Sequence, residues 1–337
     1  MLQLKNQTRF TASLFSSSDP AGVETLFAIV KGTFTFVPRV EEAEKQTPVV
    51  MADRFHGDPL KTSIAEPGDV SLVKPGTDVL LFGHAYGPGG RATTRAEVSL
   101  RVGPIEKRLV VFGDRRWGGT VLTRISAPEP FEKMPLVWER AFGGTEPPSG
   151  DPPRSDGDDR NPVGTGFRSR MSGRKLEDVV LPNLEDPARL ISSPGDRPAP
   201  AAFGAVAPHW KPRPKYAGTY DAAWLRDRAP YLPKDFDPRF LQIAPEDQQV
   251  PGYLKGGEPV EVAGATPSGS VRFNLPARRV DVLFRLDSGE ERRSANLDTV
   301  ILHPDESRLV LVWRAALPCD KRLLKVREVE PIVARAA

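Results

Sequence analysis

VETLFAIVKGTFTFV, residues 23–37, is rich in the β-branched and aromatic residues that favour β-strands. Side chains alternate across a strand, which puts apolar residues on one face and polar residues on the other. The two faces are Ala28, Val30, Phe34 and Phe36 against Lys31, Thr33 and Thr35. This pattern predicts a half-buried strand, so the first third of the chain is expected to be β.

Two further groups of strands follow the same period-two pattern. TTRAEVSLRVG (93–103) alternates strictly, and with DVLLFGHAY (78–86) before it and RLVVFG (108–113) after it, it predicts a three-stranded meander. Near the C-terminus, RRVDVLFRLD (278–287) and RLVLVWR (308–314) predict a second antiparallel meander. In 278–287 the inward residues are expected to be Val280, Val282, Phe284 and Leu286.

The middle of the chain differs from its two ends in composition. The sequence contains 35 prolines and 29 glycines, which favour turns over long helices, and residues 126–256 hold only short candidate elements such as DAAWLRDR (221–228). This region is nevertheless too aromatic to be plain linker. Its aromatic residues include Trp138, Phe142, Phe203, Trp210, Tyr216, Tyr220, Trp224, Tyr231, Phe236 and Phe240. We expect an ordered, irregular layer packed on the sheets.

The predicted fold class is therefore mainly β, with antiparallel β-sandwich-like lobes and few short helices. The predicted segments are an N-terminal antiparallel β lobe at 1–125, a Pro/Gly-rich aromatic central region at 126–256 and a C-terminal β meander at 257–337. The 337 residues allow either one large β domain or smaller lobes.

Composition argues against several function classes. The 47 basic and 44 acidic residues are dispersed, so no nucleic-acid partner is expected. The single cysteine, Cys319, and four scattered histidines give no zinc-ligand spacing, and no cofactor is expected. The apolar runs fall far short of the roughly 20 residues that span a bilayer, and residues 1–10 lack a signal-peptide core. We expect a cytoplasmic protein without membrane insertion.

PLVWERAFGG, residues 135–144, places Glu139 and Arg140 among apolar side chains. As a strand, it would carry Leu136, Trp138, Arg140 and Phe142 on one face. An acid–base role for Glu139 needs a cleft and a partner, whereas a structural role needs only acceptors for a buried Arg140. We favour the structural role, with Gly143 and Gly144 giving a sharp exit from the strand.

The sequence gives only weak signals for other catalytic or ligand-binding sites. The carboxylates of residues 156–161 could bind a hard cation, but the loop lacks the bidentate Glu and spacing of a calcium-binding hand, and a solvated loop is favoured. No Gly-x-Ser-x-Gly motif or phosphate loop occurs. A triad assembled across the fold and a carboxylate pair for glycoside hydrolysis remain open, because sequence spacing does not test them.

Several long motifs occur together in order. They are PLVWERAFGG, NPVGTGF (161–167), LPNLEDP (181–187), residues 203–240 and APEDQ (244–248). In this set the chain resembles the bacterial family called domain of unknown function 2169. The resemblance implies an accessory adaptor, or chaperone, of type VI secretion that binds an effector, a PAAR-like protein or a spike protein and helps to load cargo onto the spike.

The resemblance supplies no catalytic residue, so we expect no enzyme and no catalytic, cofactor or metal residues. The mechanism expected is binding through an edge strand or groove, with arginines pairing with carboxylates of the partner. A β-sandwich hydrolase or a glycan-binding protein acting on a cell-envelope polymer is the alternative. The candidate structural or partner-binding residues are Trp138, Glu139, Arg140, Phe142, Gly143, Gly144, Asn161, Trp210, Tyr220, Trp224, Phe236 and Arg239.

Overall fold

The computed structural model describes residues 2–118, 123–149, 154–169, 175–321 and 323–335. Strands dominate, which confirms the mainly β prediction and its few short helices. The α-helix is Ala222–Asp227. Short 3₁₀ helices lie at Pro88–Gly90, Trp138–Arg140, Leu176–Asp178, Arg213–Tyr216, Pro238–Leu241, Glu246–Gln248, Pro304–Glu306 and Leu323–Lys325.

The largest sheet has seven strands drawn from all three predicted segments of the chain. Its main order is Gln249–Pro251, Gly76–Leu81, Asn296–His303, Arg308–Pro318, Glu24–Thr35 and Thr11–Ser18, and Glu41–Glu42 also pairs with Glu24–Thr35. Gly76–Leu81 runs parallel to Asn296–His303, and the other pairs are antiparallel. Hydrogen bonds therefore join the N-terminal strands directly to the C-terminal strands.

Two smaller sheets complete the main architecture. The five-stranded sheet has the order Leu184–Glu185, Ile105–Phe112, Arg95–Val102, Pro259–Ala263 and Ser270–Asn274. The four-stranded sheet has the order Gln3–Leu4, Val326–Arg335, Arg278–Leu286 and Gly289–Ser294. Short strand pairs are Arg54–Phe55 with Ile64–Glu66, His84–Tyr86 with Lys133–Pro135, Trp117–Gly118 with Arg124–Ile125, Phe142–Gly143 with Thr165–Gly166, and Thr145–Ser149 with Arg154–Gly157.

Both predicted meanders are wrong in part. The hairpin of Arg95–Val102 with Ile105–Phe112 forms, and Ala96, Val98, Leu100 and Val102 are buried as expected. Gly76–Leu81, however, belongs to the seven-stranded sheet. Near the C-terminus, the inward residues of Arg278–Leu286 are buried as predicted, but Arg308–Pro318 belongs to the seven-stranded sheet. In both regions the local hairpin agrees with the sequence pattern and the longer-range pairing does not.

The Glu24–Thr35 strand is buried on both faces, so the half-buried prediction is wrong. Its side chains pack against other parts of the chain on both faces of the sheet. Lys31 and Thr33 are buried rather than exposed, and Lys31 Nζ lies 2.8 Å from Asp69 Oδ2. A buried ammonium group needs such a partner, because water no longer solvates it.

This ion pair belongs to a buried polar network that crosses four neighbouring strands. Arg314 Nε donates to Asp298 Oδ2 at 2.6 Å, and Arg314 Nη2 donates to Asp69 O at 2.8 Å. A second part of the network contains Lys74, whose Nζ lies 2.8 Å from both Asp78 Oδ2 and Thr299 Oγ1. Thr299 Oγ1 in turn donates to Asp298. Three buried cations are thus matched by three buried carboxylates.

The apolar core is continuous across the three sheets. One cluster of buried side chains includes Phe34 of the seven-stranded sheet, Leu100 of the five-stranded sheet and Phe284 of the four-stranded sheet. Phe36 stacks on Phe273 with ring centroids 4.9 Å apart, which links two of these sheets. Within the described residues, no helix has the length and apolarity needed to span a membrane.

Candidate functional site

The PLVWERAFGG motif does not form the strand that its alternation predicts. Trp138–Arg140 is a 3₁₀ helix, followed by the two-residue strand Phe142–Gly143. Leu136, Trp138 and Phe142 are buried, but the Arg140 side chain is 39% exposed, so its assignment to a buried face is wrong. The helical turn rotates the two charged side chains into different surroundings.

Glu139 and Arg140 bind different parts of the chain. Both carboxylate oxygens of Glu139 accept hydrogen bonds from Ser63, one from its backbone NH at 2.7 Å and one from its hydroxyl at 2.8 Å. Arg140 Nη1 donates to Asp114 at 3.1 Å and to Asn183 at 3.0 Å. These contacts join distant segments of the chain, as a structural role of the two residues requires.

Asn161 holds the glycine turn beside this helix. Its side-chain NH₂ group donates to Trp138 O and Phe142 O at 2.8 and 3.0 Å, and its backbone carbonyl accepts from Gly144 N at 2.9 Å. Gly143 has φ of +146°, and a Cβ there would lie 2.2 Å from Asn161 O. Glycine is therefore required by the close approach as well as by the backbone conformation.

Trp138 and Trp210 pack edge to face with ring centroids 5.8 Å apart, and Trp138 Nε1 donates to Gly204 O at 3.1 Å. Both rings are buried. Eight predicted site residues thus form one internal structure, which we call the junction: Trp138, Glu139, Arg140, Phe142, Gly143, Gly144, Asn161 and Trp210. The junction organises the central region and leaves little side-chain surface for a partner.

The remaining predicted residues lie in a separate segment. Trp224 is on the Ala222–Asp227 helix, which begins where the Asp221 side chain accepts from Trp224 N at 2.8 Å. Phe236 packs edge to face on Phe240. Arg239 Nε donates to Asp237 Oδ2 at 2.8 Å, and its guanidinium lies over the Tyr216 ring.

This segment exposes aromatic and apolar side chains, contrary to the expectation that the central aromatics are covered. Tyr220 is 54% exposed, Leu225 67% and Tyr231 42%. Tyr220 packs against Trp224, whose Nε1 donates to Tyr231 O at 2.9 Å. We call these four residues the aromatic surface. Its internal contacts fix the rings in place, so binding there would cost little side-chain entropy.

The aromatic surface lies beside the first hairpin of the seven-stranded sheet. Arg228 stacks on Tyr231, and its Nη2 donates to Pro20 O at 2.9 Å. Pro20 is in the turn that joins Thr11–Ser18 to Glu24–Thr35. The segment therefore contacts the turn at one end of the outermost strand.

The Thr11–Ser18 strand, which we call the edge strand, is open along its outer side. Asp19 N donates to Val23 O, so the alternation of an antiparallel ladder directs the NH and CO groups of Ala12, Leu14 and Ser16 away from the sheet. No other described residue hydrogen-bonds to these outward groups. Farther along, Gln46 closes the same sheet edge, because its amide bonds to both Thr33 N and Thr33 O.

The edge strand lacks the usual features that block pairing with another chain. Its sequence, TASLFSSS, contains no charged residue and no proline. The Gly289–Ser294 edge carries four consecutive charged residues, the Ser270–Asn274 edge carries Arg272, and Gln249–Pro251 is short and ends in proline. Among the sheet edges that the structure describes, the edge strand Thr11–Ser18 is best suited to accept an added strand. Our sequence predictions did not include it, since serine-rich polar runs give a weak strand signal.

The described titratable clusters are engaged in internal contacts. His84 Nδ1 lies 2.6 Å from Asp305 Oδ2, Tyr86 OH donates to Asp305 Oδ1 at 2.9 Å, and Lys133 lies 3.8 Å from the same carboxylate. Burial and the adjacent Asp305 raise the pKa of Tyr86. A His–Asp pair can orient a catalytic base, but the described hydrogen bonds bring no nucleophilic hydroxyl to the His84 ring.

The acidic loop 156–161 forms ion pairs with nearby basic side chains. Asp158 binds Arg160, with Arg160 Nε donating at 2.8 Å, and Asp159 Oδ2 lies 2.8 Å from Lys211 Nζ. In the part of the chain that the structure describes, no group of three or more His, Cys, Asp or Glu side chains is arranged to hold a metal ion. The solvated-loop prediction is wrong in part, because Asp158 and Asn161 of this loop are buried.

Comparison with known proteins gives one match. A family model described as an uncharacterized protein conserved in bacteria, DUF2169, matches residues 21–314. These residues include the junction and the aromatic surface and begin just after the edge strand. Neither the curated proteins nor the solved structures yield a match.

Proposed function

The chain belongs to the DUF2169 family of proteins conserved in bacteria, and we propose that it is a non-catalytic adaptor, or chaperone, of type VI secretion. It binds an effector or a PAAR-like protein and helps to load it onto the secretion spike. The ordered motifs support the secretion role through the resemblance described above. The surface of the molecule supports the binding role.

The observation that carries the proposal is the open edge strand beside the aromatic surface. An extended segment of a partner can pair with the outward groups of Ala12, Leu14 and Ser16 and so extend the seven-stranded sheet. Tyr220, Leu225 and Tyr231 are exposed in the segment that contacts the turn at the end of the edge strand, so they can contact the partner beyond the paired stretch. Backbone pairing supplies affinity for an extended chain, and aromatic contacts select its side chains.

The junction favours binding over catalysis. Glu139, the most conspicuous acid of the motif, has both oxygens bound by Ser63. An acid–base catalyst must exchange a proton with a substrate, and these bonds leave Glu139 poorly placed to do so. The role of Glu139 is structural, because its hydrogen bonds join its own segment to Ser63.

The exposed tyrosines favour one other candidate function. Tyr220 and Tyr231 offer partly exposed rings of the kind that stack on sugars, so a glycan-binding protein remains the alternative. Binding to purified cell-envelope polysaccharide distinguishes the two. We expect no retention of the wild-type protein on this polymer, and retention that is lost when both tyrosines are changed to alanine would replace the adaptor by the glycan-binding function.

Deletion of the gene in the native host tests the proposed function. We expect secretion of one cognate effector to be lost while the spike protein is still secreted, and complementation with the wild-type chain to restore it. Unchanged delivery of every type VI effector in the deletion strain would contradict the adaptor role. Loss of spike secretion as well would indicate a role in assembling the secretion apparatus itself.

A further inference from the structure

A small pocket lies between the two 3₁₀ helices that flank the aromatic surface in sequence, Arg213–Tyr216 and Pro238–Leu241. Its volume is about 170 Å³, similar to cavities that admit a benzene-sized group. The polar residues that line it are Arg213, Tyr216, Arg239, Gln242, Glu246 and Gln249. One amino-acid side chain fits a space of this size.

Arg213 is a buried cation without a carboxylate partner. The residue is 8% exposed, and its three hydrogen bonds all go to backbone carbonyls: Nη1 to Val206 O at 2.7 Å, and Nε and Nη2 to Phe240 O at 3.1 and 2.9 Å. Burial lowers the pKa of Arg213. Within the described chain no carboxylate forms an ion pair with it, although buried charges are usually paired.

Gln242 is a second, independent sign of an unfilled site. It is 6% exposed and lines the same pocket. Its backbone NH bonds to Arg239 O, but its side-chain amide makes no hydrogen bond with any described residue. Its amide atoms are not among the fully buried ones, so they stay open to the pocket and can hydrogen-bond a polar ligand there.

The charged residues at the rim of the pocket bind partners other than Arg213. Glu246 also lines the pocket, but its carboxylate accepts from Tyr216 OH at 3.2 Å, lies 3.9 Å from Lys215 Nζ and is 62% exposed. Arg239 is neutralised by Asp237. Asp53 and Asp78 are close enough to stabilise the charge of Arg213, but no carboxylate of the described residues binds its guanidinium directly.

We propose that this pocket binds the carboxylate of an acidic side chain, Asp or Glu, carried by the partner protein. The guanidinium of Arg213 retains N–H bonds beyond those given to carbonyls, and the Gln242 amide supplies a further donor. The inference rests on the proposed adaptor function, because the adaptor's partner supplies the acid. It adds a specificity contact away from the edge strand, because Gln249 of the pocket belongs to the strand at the opposite edge of the seven-stranded sheet.

The test uses the purified full-length chain without any partner. N-acetyl-glutamate N-methylamide is titrated while the Arg213 Nε–Hε resonance is followed by NMR, and N-acetyl-glutamine N-methylamide serves as the uncharged, isosteric control. We expect a saturable shift with the glutamate probe and at least about tenfold weaker binding of the glutamine probe, since charge-assisted bonds are the stronger ones. Absence of a saturable shift, or equal binding of both probes, would overturn the proposal.

Two variants and a second small probe sharpen the result. Gln242→Leu is expected to weaken the glutamate probe by about threefold to tenfold. Gln242→Glu supplies a carboxylate within the pocket, so it should abolish probe binding and move the Arg213 resonance toward its probe-saturated position. An unmoved resonance in this variant would contradict the inference. If acetate binds as tightly as the blocked glutamate, the ligand is a small free carboxylate and the assignment to a partner side chain is wrong.

This experiment is separate from the test of the adaptor function. If the probe does not bind but effector delivery still depends on the gene, the carboxylate site is wrong and the adaptor function stands. If the probe binds but effector delivery does not depend on the gene, the pocket is a carboxylate site and its assignment to a secretion partner is wrong.

Discussion

Asn161 shows how one buried amide organises the junction. It bonds to carbonyls on both sides of the Trp138–Phe142 segment, while its backbone carbonyl receives Gly144 N and Gly164 N. The side chain is fully buried. From the sequence, Asn161 is recognisable only as part of a motif, because its acceptors lie about twenty residues away and no local pattern identifies them.

Asn161→Asp is expected to destabilise the protein by about 3 kcal/mol or more. The substitution keeps the shape but replaces an NH₂ donor by an oxygen facing two carbonyl oxygens. Urea denaturation measures the free energy of unfolding, and Asn274→Asp on an exposed strand end is the matched control, expected to stay within about 0.5 kcal/mol of wild type. Equal stability of the two variants would show that the Asn161 bonds contribute little.

His303 provides a pH-dependent prediction. Burial lowers its pKa to about 4, and the ring stacks on Phe82. Because the unfolded histidine titrates near 6.5, the unfolded state binds more protons between these values, so stability is complete above about pH 6.5 and falls as the pH drops toward 4. The His303 contribution to this loss is expected to be about 2–3 kcal/mol.

The variant His303→Phe keeps the ring stacking and removes the titration. Between pH 7 and pH 4.5 its free energy of unfolding should fall less than that of wild type, whereas the exposed His56→Gln control should follow wild type. The carboxylates common to all three proteins cancel in this comparison. A His303→Phe slope equal to that of wild type would mean that His303 does not titrate differently on folding.

At the scale of single elements, local pairing was predictable and distant pairing was not. The hairpins 95–112 and 278–294 follow from alternation and turns, because each strand pairs with its neighbour in sequence. The Gly76–Leu81 strand instead pairs with Asn296–His303, more than 200 residues away. In 138–140 alternation suggested a strand, yet side-chain and turn contacts with Ser63 and Asn161 stabilise a 3₁₀ helix.

The edge strand gives a prediction about hydrogen-bond direction. Ser16 NH points away from the sheet, so Ser16→Pro should change the free energy of unfolding by no more than about 1 kcal/mol. Ser17 NH points toward Glu24–Thr35, so Ser17→Pro should cost about 2 kcal/mol or more. Thermal and urea unfolding of the pair measures the difference, and a reversed order would contradict the assigned register.

The Ala222–Asp227 helix gives a prediction about the aromatic surface. Leu225 is 67% exposed, so Leu225→Asp should leave stability within about 0.5 kcal/mol of wild type. It places a charge amid the apolar contacts and should reduce partner recovery at least about tenfold. Leu324→Asp, at a residue 87% exposed on the 3₁₀ helix Leu323–Lys325, is the matched control. Similar recovery with the two variants would place the contact elsewhere.

Across the whole molecule, the seven-stranded sheet connects the two ends of the chain. Arg308–Pro318 and Asn296–His303 lie between Glu24–Thr35 and Gly76–Leu81. The buried polar network also joins the two ends of the chain, since Arg314 near the C-terminus binds Asp69 and Asp298. Composition predicts the three segments of the chain, but it does not predict which strands of one segment pair with strands of another.

A fragment of residues 1–256 is therefore expected not to fold alone. It lacks the two strands that separate Glu24–Thr35 from Gly76–Leu81, and it leaves Lys74 and Asp69 without part of their network. Circular dichroism should show no cooperative thermal transition for the fragment, and co-expression with residues 257–337 should restore one. A cooperative transition of 1–256 alone would show that the N-terminal part is an independent folding unit.

The central claim is that this protein binds a type VI secretion partner through its edge strand, and a quantitative pull-down from the native host tests it most directly. Tagged wild type, Ser16→Pro and Arg272→Pro at a different sheet edge are compared by mass spectrometry at moderate salt, where exposed charge pairs persist. We predict that an effector or PAAR-like protein is enriched with wild type and Arg272→Pro and falls at least about tenfold with Ser16→Pro. Recovery of no secretion component with intact wild-type bait, or equal recovery with Ser16→Pro, would contradict the account.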